Sequence, residues 1–173
     1  MENNLVVKHN TLIESKHKLT LNEQKLILYL VSKIKKEDEE FKRYKFSYCE
    51  ISQILNLGDD NHTYLKELTL GLIGKKLQIQ DINKKRLIQV TWLAGAEYLD
   101  SDSELELEFS SFLRPYLLQL KDSFTSYQLK NILNLESRHS IRIYEILKQY
   151  RKIGKRELSL KEFKFMLGLE EDN

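Results

Sequence analysis

After Gly74 the hydrophobic period of the chain changes from about 3.6 residues to 2, a switch from helix to strand that narrows the fold once the order of elements around it is read. Three amphipathic helices stand before it. The first is predicted to open at Thr20-Leu21-Asn22-Glu23, a capping box in which hydroxyl and carboxylate each satisfy an orphan N–H. Its apolar stripe is Ile27, Leu30, Val31 and Ile34, and Lys33, Lys35 and Lys36 close its last turn, where cations suit the helix dipole. The acidic run Glu37-Asp38-Glu39-Glu40 reads as a solvated loop, and Tyr44-Lys45-Phe46 as a short strand. Ser47-Tyr48-Cys49-Glu50 is a second capping box, leading into a stripe of Ile51, Ile54 and Leu55. Leu57-Gly58-Asp59-Asp60-Asn61 breaks the pattern; a third helix follows, with Leu65, Leu68, Leu72 and Ile73 inward and Gly74 as its stop. Beyond it Leu77-Gln78-Ile79-Gln80 alternates, the stretch from Asp81 to Arg86 makes a charged turn, and Ile88, Val90 and Trp92 alternate again. A further strand is expected from Glu104 to Phe109, after the turn Asp100-Ser101-Asp102-Ser103, with its glutamates outward and Leu105, Leu107 and Phe109 inward. Helix, strand, helix, turn, helix and charged hairpin, in that order, make an α+β fold of the winged-helix kind.

The pattern then begins again. Ile143, Ile146, Leu147 and Tyr150 have the spacing of Ile27, Leu30, Val31 and Ile34. Leu158-Ser159-Leu160-Lys161-Glu162-Phe163 matches Phe46-Ser47-Tyr48-Cys49-Glu50-Ile51, and Met166, Leu167 and Leu169 stand where Ile54, Leu55 and Leu57 do. The register between the copies shortens where the acidic run has no counterpart. The second copy halts at Gly168-Leu169-Glu170-Glu171-Asp172-Asn173, where the first makes its turn. A tandem winged-helix architecture is expected, with the second copy truncated: an N-terminal domain over 1–120, a linker over 121–136, and the first half of a second domain over 137–173.

Several chemistries are disfavoured. No glycine-rich phosphate loop is present, and His9, His17, His62 and His139 lack metal-ligand spacing, so neither cofactor nor metal is expected. Cys49, the single cysteine, reads as a structural thiol, and its solitude excludes a disulfide framework. Glu104, Glu106 and Glu108 lie on one outward face, where acid–base catalysis would need a cleft. No catalytic residue is assigned, no apolar run spans a membrane, and a cytoplasmic location is expected.

Three segments together resemble plasmid replication initiators. Leu19-Thr20 with Glu23-Gln24-Lys25 is similar to their "LT-x-x-EQK" opening, and Leu113-Arg114-Pro115-Tyr116-Leu117-Leu118 to their "l-x-P-Y-L" helix. Phe124-Thr125-Ser126-Tyr127, then Ser137, Ser140-Ile141-Arg142-Ile143-Tyr144-Glu145 and Lys148-Gln149-Tyr150, resembles "FT-x-Y…S-x-R-x-YE-x-x-KQY". The resemblance, to the Rep initiator family of iteron plasmids, covers roughly residues 5 to 169. It implies two tandem winged helices, binding of double-stranded DNA at repeated origin sites (iterons), a homodimer that represses its own transcription, and recruitment of host replication proteins. In such proteins the C-terminal winged helix reads the major groove and the N-terminal one serves dimerisation and contacts DNA in the monomer; this chain stops short of the second reading helix.

The net charge of +2, from 28 cations and 26 anions, hides an uneven distribution. Lys75, Lys76, Lys84, Lys85 and Arg86 face only Asp81, which suits a wing on phosphates, while a solvated hairpin is the bland alternative. His62, Thr63, Tyr64 and Lys66, beside Glu67, open the third helix where a helix-turn-helix would meet DNA, although each is equally a solvated surface residue. Nine cations (Arg138, Arg142, Lys148, Arg151, Lys152, Lys155, Arg156, Lys161, Lys164) oppose Glu145, Glu157 and Glu162, and Arg138 and Arg142 are expected to share a phosphate-tracking helix face. The acid-rich segment from Glu97 to Glu108 is either an edge protected against pairing or a dimerisation surface with Leu99, Leu105, Leu107, Phe112 and Leu117. Two rivals stand beside the initiator reading: a winged-helix transcription regulator, and a dimerisation module without DNA binding of its own.

Overall fold

The computed structural model describes residues 4–58, 61–81, 84–99 and 101–169. Asp59 and Asp60 of the expected break, Ile82 and Asn83 of the charged turn, Asp100 and the stretch 170–173 lie outside the described residues. The chain begins with β1 (Leu5–His9), a one-turn α1 (Asn10–Ile13) and a short β2 (Lys16–His17). The helix α2 (Leu21–Val31), strand β3 (Tyr44–Ser47) and helices α3 (Tyr48–Leu55) and α4 (His62–Ile73) follow in the expected order.

The first capping box forms in full: Thr20 Oγ1 accepts from the Glu23 N–H at 3.3 Å, and Glu23 Oε2 from the Thr20 N–H at 2.7 Å. From Glu23 to Val31 every residue of α2 is buried, so it is the central helix of the domain rather than a surface one. It ends earlier than Ile34. The N–H groups of Lys33 and Ile34 turn to carbonyls three residues back, and Lys33, Lys35 and Lys36 follow the helix instead of closing it. The second box is half made. Ser47 caps the Glu50 N–H at 3.1 Å, but the Glu50 carboxylate turns away to the Tyr29 hydroxyl and, at 3.5 Å, to Lys33. Cys49, expected as a structural thiol, is exposed.

After α4 the chain makes two hairpins rather than one. Strands β4 (Lys76–Asp81) and β5 (Arg86–Thr91) carry the charged tip and extend β2 into a three-stranded sheet. Strands β6 (Leu93–Leu99) and β7 (Glu104–Phe109) form the second hairpin, and it is β7 that pairs with β3, placing Leu107 opposite Tyr44 and Ala96. Strand β7 alternates as expected, with Leu105, Leu107 and Phe109 in the core. The unexpected strand, β6, starts Leu-Ala-Gly-Ala and has a bulge between Leu93 and Gly95, which erases the alternation that sequence reading relies on.

Residues 121–136, expected as a linker, are folded. After a 3-10 turn at Ser111–Leu113 and α5 (Arg114–Leu117), β8 (Phe124–Gln128) pairs antiparallel with β1, and α6 (Lys130–Leu133) follows. Tyr127, Leu129 and Ile132 join the main core, which reaches on to Ile141 of α7 (Arg138–Gln149). Helix α7 fully buries only Ile146 of the expected stripe. Ile141, Arg142, Glu145 and Ile146 face inward, and Leu147 is 61% exposed. The last helix, α8 (Leu160–Met166), has a complete capping box from Ser159 and Glu162, where the matching box at Ser47 and Glu50 is only half made.

Gly168 ends α8 at φ +66, and a Cβ there would lie 2.6 Å from the His17 carbonyl oxygen. Gly154 has φ +82 but open space around it. Gly168→Ala is therefore expected to cost about 2 kcal/mol or more, and Gly154→Ala about 1 kcal/mol, in urea unfolding; equal losses would show that the close approach to His17 is unimportant.

Candidate nucleic-acid interface

Helix α4 is held by Leu65, Leu68 and Leu72, which are buried, so His62, Thr63, Tyr64, Lys66 and Glu67 are left on its outer side. These side chains already have neighbours. His62 stands edge-on to Tyr48 with ring centres 4.3 Å apart, and the Tyr64 hydroxyl accepts from the Asn22 amide at 2.7 Å. The Lys66 ammonium lies 5.5 Å from the centre of the Tyr98 ring. The outer face also presents Leu70, 73% exposed, an apolar contact surface in the middle of a helix expected to meet polar groups.

The β4–β5 hairpin keeps its cations in solvent. Lys76, Lys84, Lys85 and Arg86 are exposed, Arg86 is opposite Asp81 in the ladder, and Asp81 accepts from the Lys84 N–H at 3.1 Å. The Lys84 ammonium is 3.8 Å from the same carboxylate, a solvated pair that leaves its charge available. Lys75 is different. Its ammonium lies 2.6 Å from the buried Glu23 carboxylate, so it neutralises that anion and is removed from the expected DNA face.

The second expected phosphate-tracking group divides in the same way. Arg142 is 2% exposed: Nη2 donates to the Ile13 carbonyl at 2.5 Å and to the Ser15 and Met166 carbonyls at 3.0 Å, and Nη1 to Glu145 at 3.1 Å. It cannot touch DNA, and the shared face with Arg138, itself half-buried beside His139, does not exist. Arg156 is likewise tied down, to Glu14 and, at 2.7 Å, to Gln149. Arg151, Lys152 and Lys155 are exposed in the turn between α7 and α8. A count of cations along the sequence treats all these residues alike; the fold does not.

Among the expected dimerisation residues, Leu105, Leu107 and Leu117 are core residues and offer no surface. Leu99 is half-buried, and Phe112 is 66% exposed. The glutamate row is countered from outside its own strand: Arg43 reaches Glu97 at 2.8 Å, Glu108 at 3.7 Å and Glu106 at 3.8 Å, and Lys45 pairs with Glu104.

Sequence reading missed the buried charges. Lys8 donates to Glu145 at 2.8 Å, and the Tyr127 hydroxyl donates to the same oxygen at 2.7 Å. Burial alone would raise the Glu145 carboxyl, but Lys8 and Arg142 together hold it below its usual range. Burial pushes the Lys8 ammonium down against the pull of Glu145. Close by, His17 stacks edge-on against Trp92 with both ring nitrogens buried and without a hydrogen-bond partner; burial first, then Arg142 and Lys8, push its pKa well below 6.5. The signal was present: a lysine directly after the apolar run Leu5-Val6-Val7, and Arg142 three residues before Glu145 on one helix. Among the described residues no His, Cys, Asp or Glu cluster suits a metal ion, and no helix is long and apolar enough to cross a membrane.

The family described as Initiator Replication protein, WH1, matches residues 5–148. An Escherichia coli protein described as "Replication initiation protein" is 35% identical over 176 aligned residues, covering 96% of this chain and 55% of that protein, so the chain spans about half the length of this relative. The crystal structure of Pi initiator protein in complex with iteron DNA superposes with a TM-score of 0.74 at 15% identity, covering 100% of this chain and 77% of that one. That likeness is one of fold.

Two measurements test the buried charges. A neutral, buried His17 binds a proton more weakly folded than unfolded, so its contribution is present above pH 6.5 and is lost as pH falls below it. Urea midpoints are expected to drop from pH 7.5 to 5.5, and His17→Leu to flatten most of that drop, His9 supplying the remainder through its own lowered pKa; an unchanged slope in the variant would refute the assignment. Lys8→Met is expected to cost about 3 kcal/mol, with Lys8→Met/Glu145→Gln losing less than the two single changes combined, as a coupled pair requires.

Proposed function

Because this chain belongs to the initiator replication protein family, we propose that it is the N-terminal part of a DNA-binding initiator of plasmid replication that recognises repeated origin sites. The reading assigns the chain a non-enzymatic role. The first winged helix contributes phosphate contacts, and sequence is read by parts of the protein beyond this stretch. The observation that carries it is the hairpin: Lys84, Lys85 and Arg86, with Lys76 on the same strand pair, are exposed cations on a ladder anchored to the core through Leu77 and Ile79. Cations on such a ladder gain affinity by releasing counterions from duplex DNA without choosing a sequence. Arg151, Lys152 and Lys155 extend the same chemistry in the α7–α8 turn, and Lys66 at the start of α4 completes the set. Arg142, Arg156 and Lys75 drop out of it.

In this reading residues 1–120 are the first winged helix and 137–173 the opening of a second, with 121–136 a folded connection. The dimeric autorepressor uses β6, which among the described residues has a strand partner on one side only in its sheet and ends in half-buried Leu99, together with exposed Phe112. Host replication proteins are its further partners, and its place is the cytoplasm.

Anisotropy titrations of labelled duplexes carrying origin repeats, over a series of salt concentrations, test the proposal. Changing Lys84, Lys85 and Arg86 to Ala is expected to weaken binding about tenfold or more at low salt, on repeat and random duplex alike, and to make the log–log salt slope shallower by about 2 to 3. A chain that sediments as a concentration-dependent dimer and binds no duplex would favour the dimerisation-module reading instead.

A further inference from the structure

The β1–β8 ribbon carries apolar side chains on both faces. Val6 and Tyr127 point into the core, as one face of a two-stranded ribbon should. The other face ought to be polar, yet beside His9, Ser126 and Gln128 it carries Leu5 and Phe124, each 42% exposed, and half-buried Val7. These side chains floor a groove of about 410 Å³ whose walls are the turn after α2, through Ile34, and the segment after α5, through Leu120. Lys35 and Lys36 stand exposed on its rim, and no acidic residue lines it.

From this geometry we infer that the groove is a docking site for an acidic amphipathic helix of a partner protein. An apolar floor under two cations fits a ligand that offers apolar side chains on one face and carboxylates beside them. Duplex DNA fits poorly, since its phosphates would lie against Leu5, Val7 and Phe124 and lose solvation without gaining a partner. Strand addition would use the edge of the ribbon, whereas this groove is built from side chains of both strands on one face, the arrangement that receives a helix. The inference deepens the proposed function, naming the kind of segment by which a host replication protein would engage the initiator, and rests on it.

The test uses the 173-residue chain and three fluorescein-labelled helical peptides: one with leucines on one face and glutamates flanking them, one with lysines replacing the glutamates, and one with serines replacing the leucines. The first is expected to bind about tenfold or more tighter than either control. Lys35→Glu/Lys36→Glu should reverse the preference between the acidic and basic peptides, and Phe124→Ser should weaken the acidic peptide about tenfold. All three positions are exposed, so these variants should retain the parent's melting temperature and its DNA affinity; loss of DNA affinity in every form of the chain would sink the functional reading and leave peptide binding to be judged separately. Should Phe124→Ser fail to fold, amide shift changes in the unaltered chain on adding the acidic peptide must map to the groove. Equal binding of acidic and basic peptides, no binding of any, shifts elsewhere, or a homodimer abolished by Phe124→Ser would overturn the inference.

Discussion

Glu145 lies buried on α7 between Lys8 of β1, at 2.8 Å, and Arg142 one turn earlier on its own helix, at 3.1 Å, and most of the tertiary arrangement is tied to this cluster. Each charge taken from water there must be compensated, because an unpaired ion in such a site costs several kcal/mol. The compensation comes from five stretches of chain. Lys8 belongs to the first strand, Tyr127 to the last strand, Arg142 and Glu145 to α7, and the carbonyls of Ile13 and Ser15 and of Met166 in α8 accept from the guanidinium. None of the five can move far without stranding a charge. Such a cluster is a modest source of net stability and a strong source of geometric definition.

That constraint ties the segment from α7 to Gly168 to the N-terminal strands. The small core of Ile13, Ile146, Met166 and Leu167 is on the apolar side of Arg142, and Gly168 lets the chain pass close to the His17 carbonyl. The β1–β8 ribbon closes around it from the other direction and brings residues more than a hundred positions apart into register. One consequence is the apolar patch on the outer face of the ribbon: the alternation that delivers Lys8 and Tyr127 to the ion cluster leaves Leu5, Val7 and Phe124 facing out. The same constraint reduces the cationic surface, since Arg142 serves the interior and Arg156 is held by Glu14.

Local signals in the chain were reliable where the chemistry is local. The capping boxes at Thr20 and Ser159 depend only on residues three apart, and both form as read. The alternation of β7 is equally local, since one face is buried and the other solvated. Reading failed where the partner was distant. Arg142 carries the same side chain as Arg151, and only the carbonyls of Ile13, Ser15 and Met166 make one structural and leave the other at the surface. Strands β1 and β8 escaped notice because each is short and partnered across the length of the chain, and β6 because its bulge and small residues break the two-residue period.

By itself, then, the sequence determined the winged-helix order of elements, the family motifs and the position of the charged hairpin, because backbone propensity, capping and alternation act over a few residues. The tertiary structure alone decided which charges are free for a ligand and which hold the fold together. It also decided that the connecting stretch folds into the core and that an apolar groove opens on the outer face of the ribbon. Those outcomes follow from desolvation and from pairing between remote segments, and nothing within a short window of sequence encodes either.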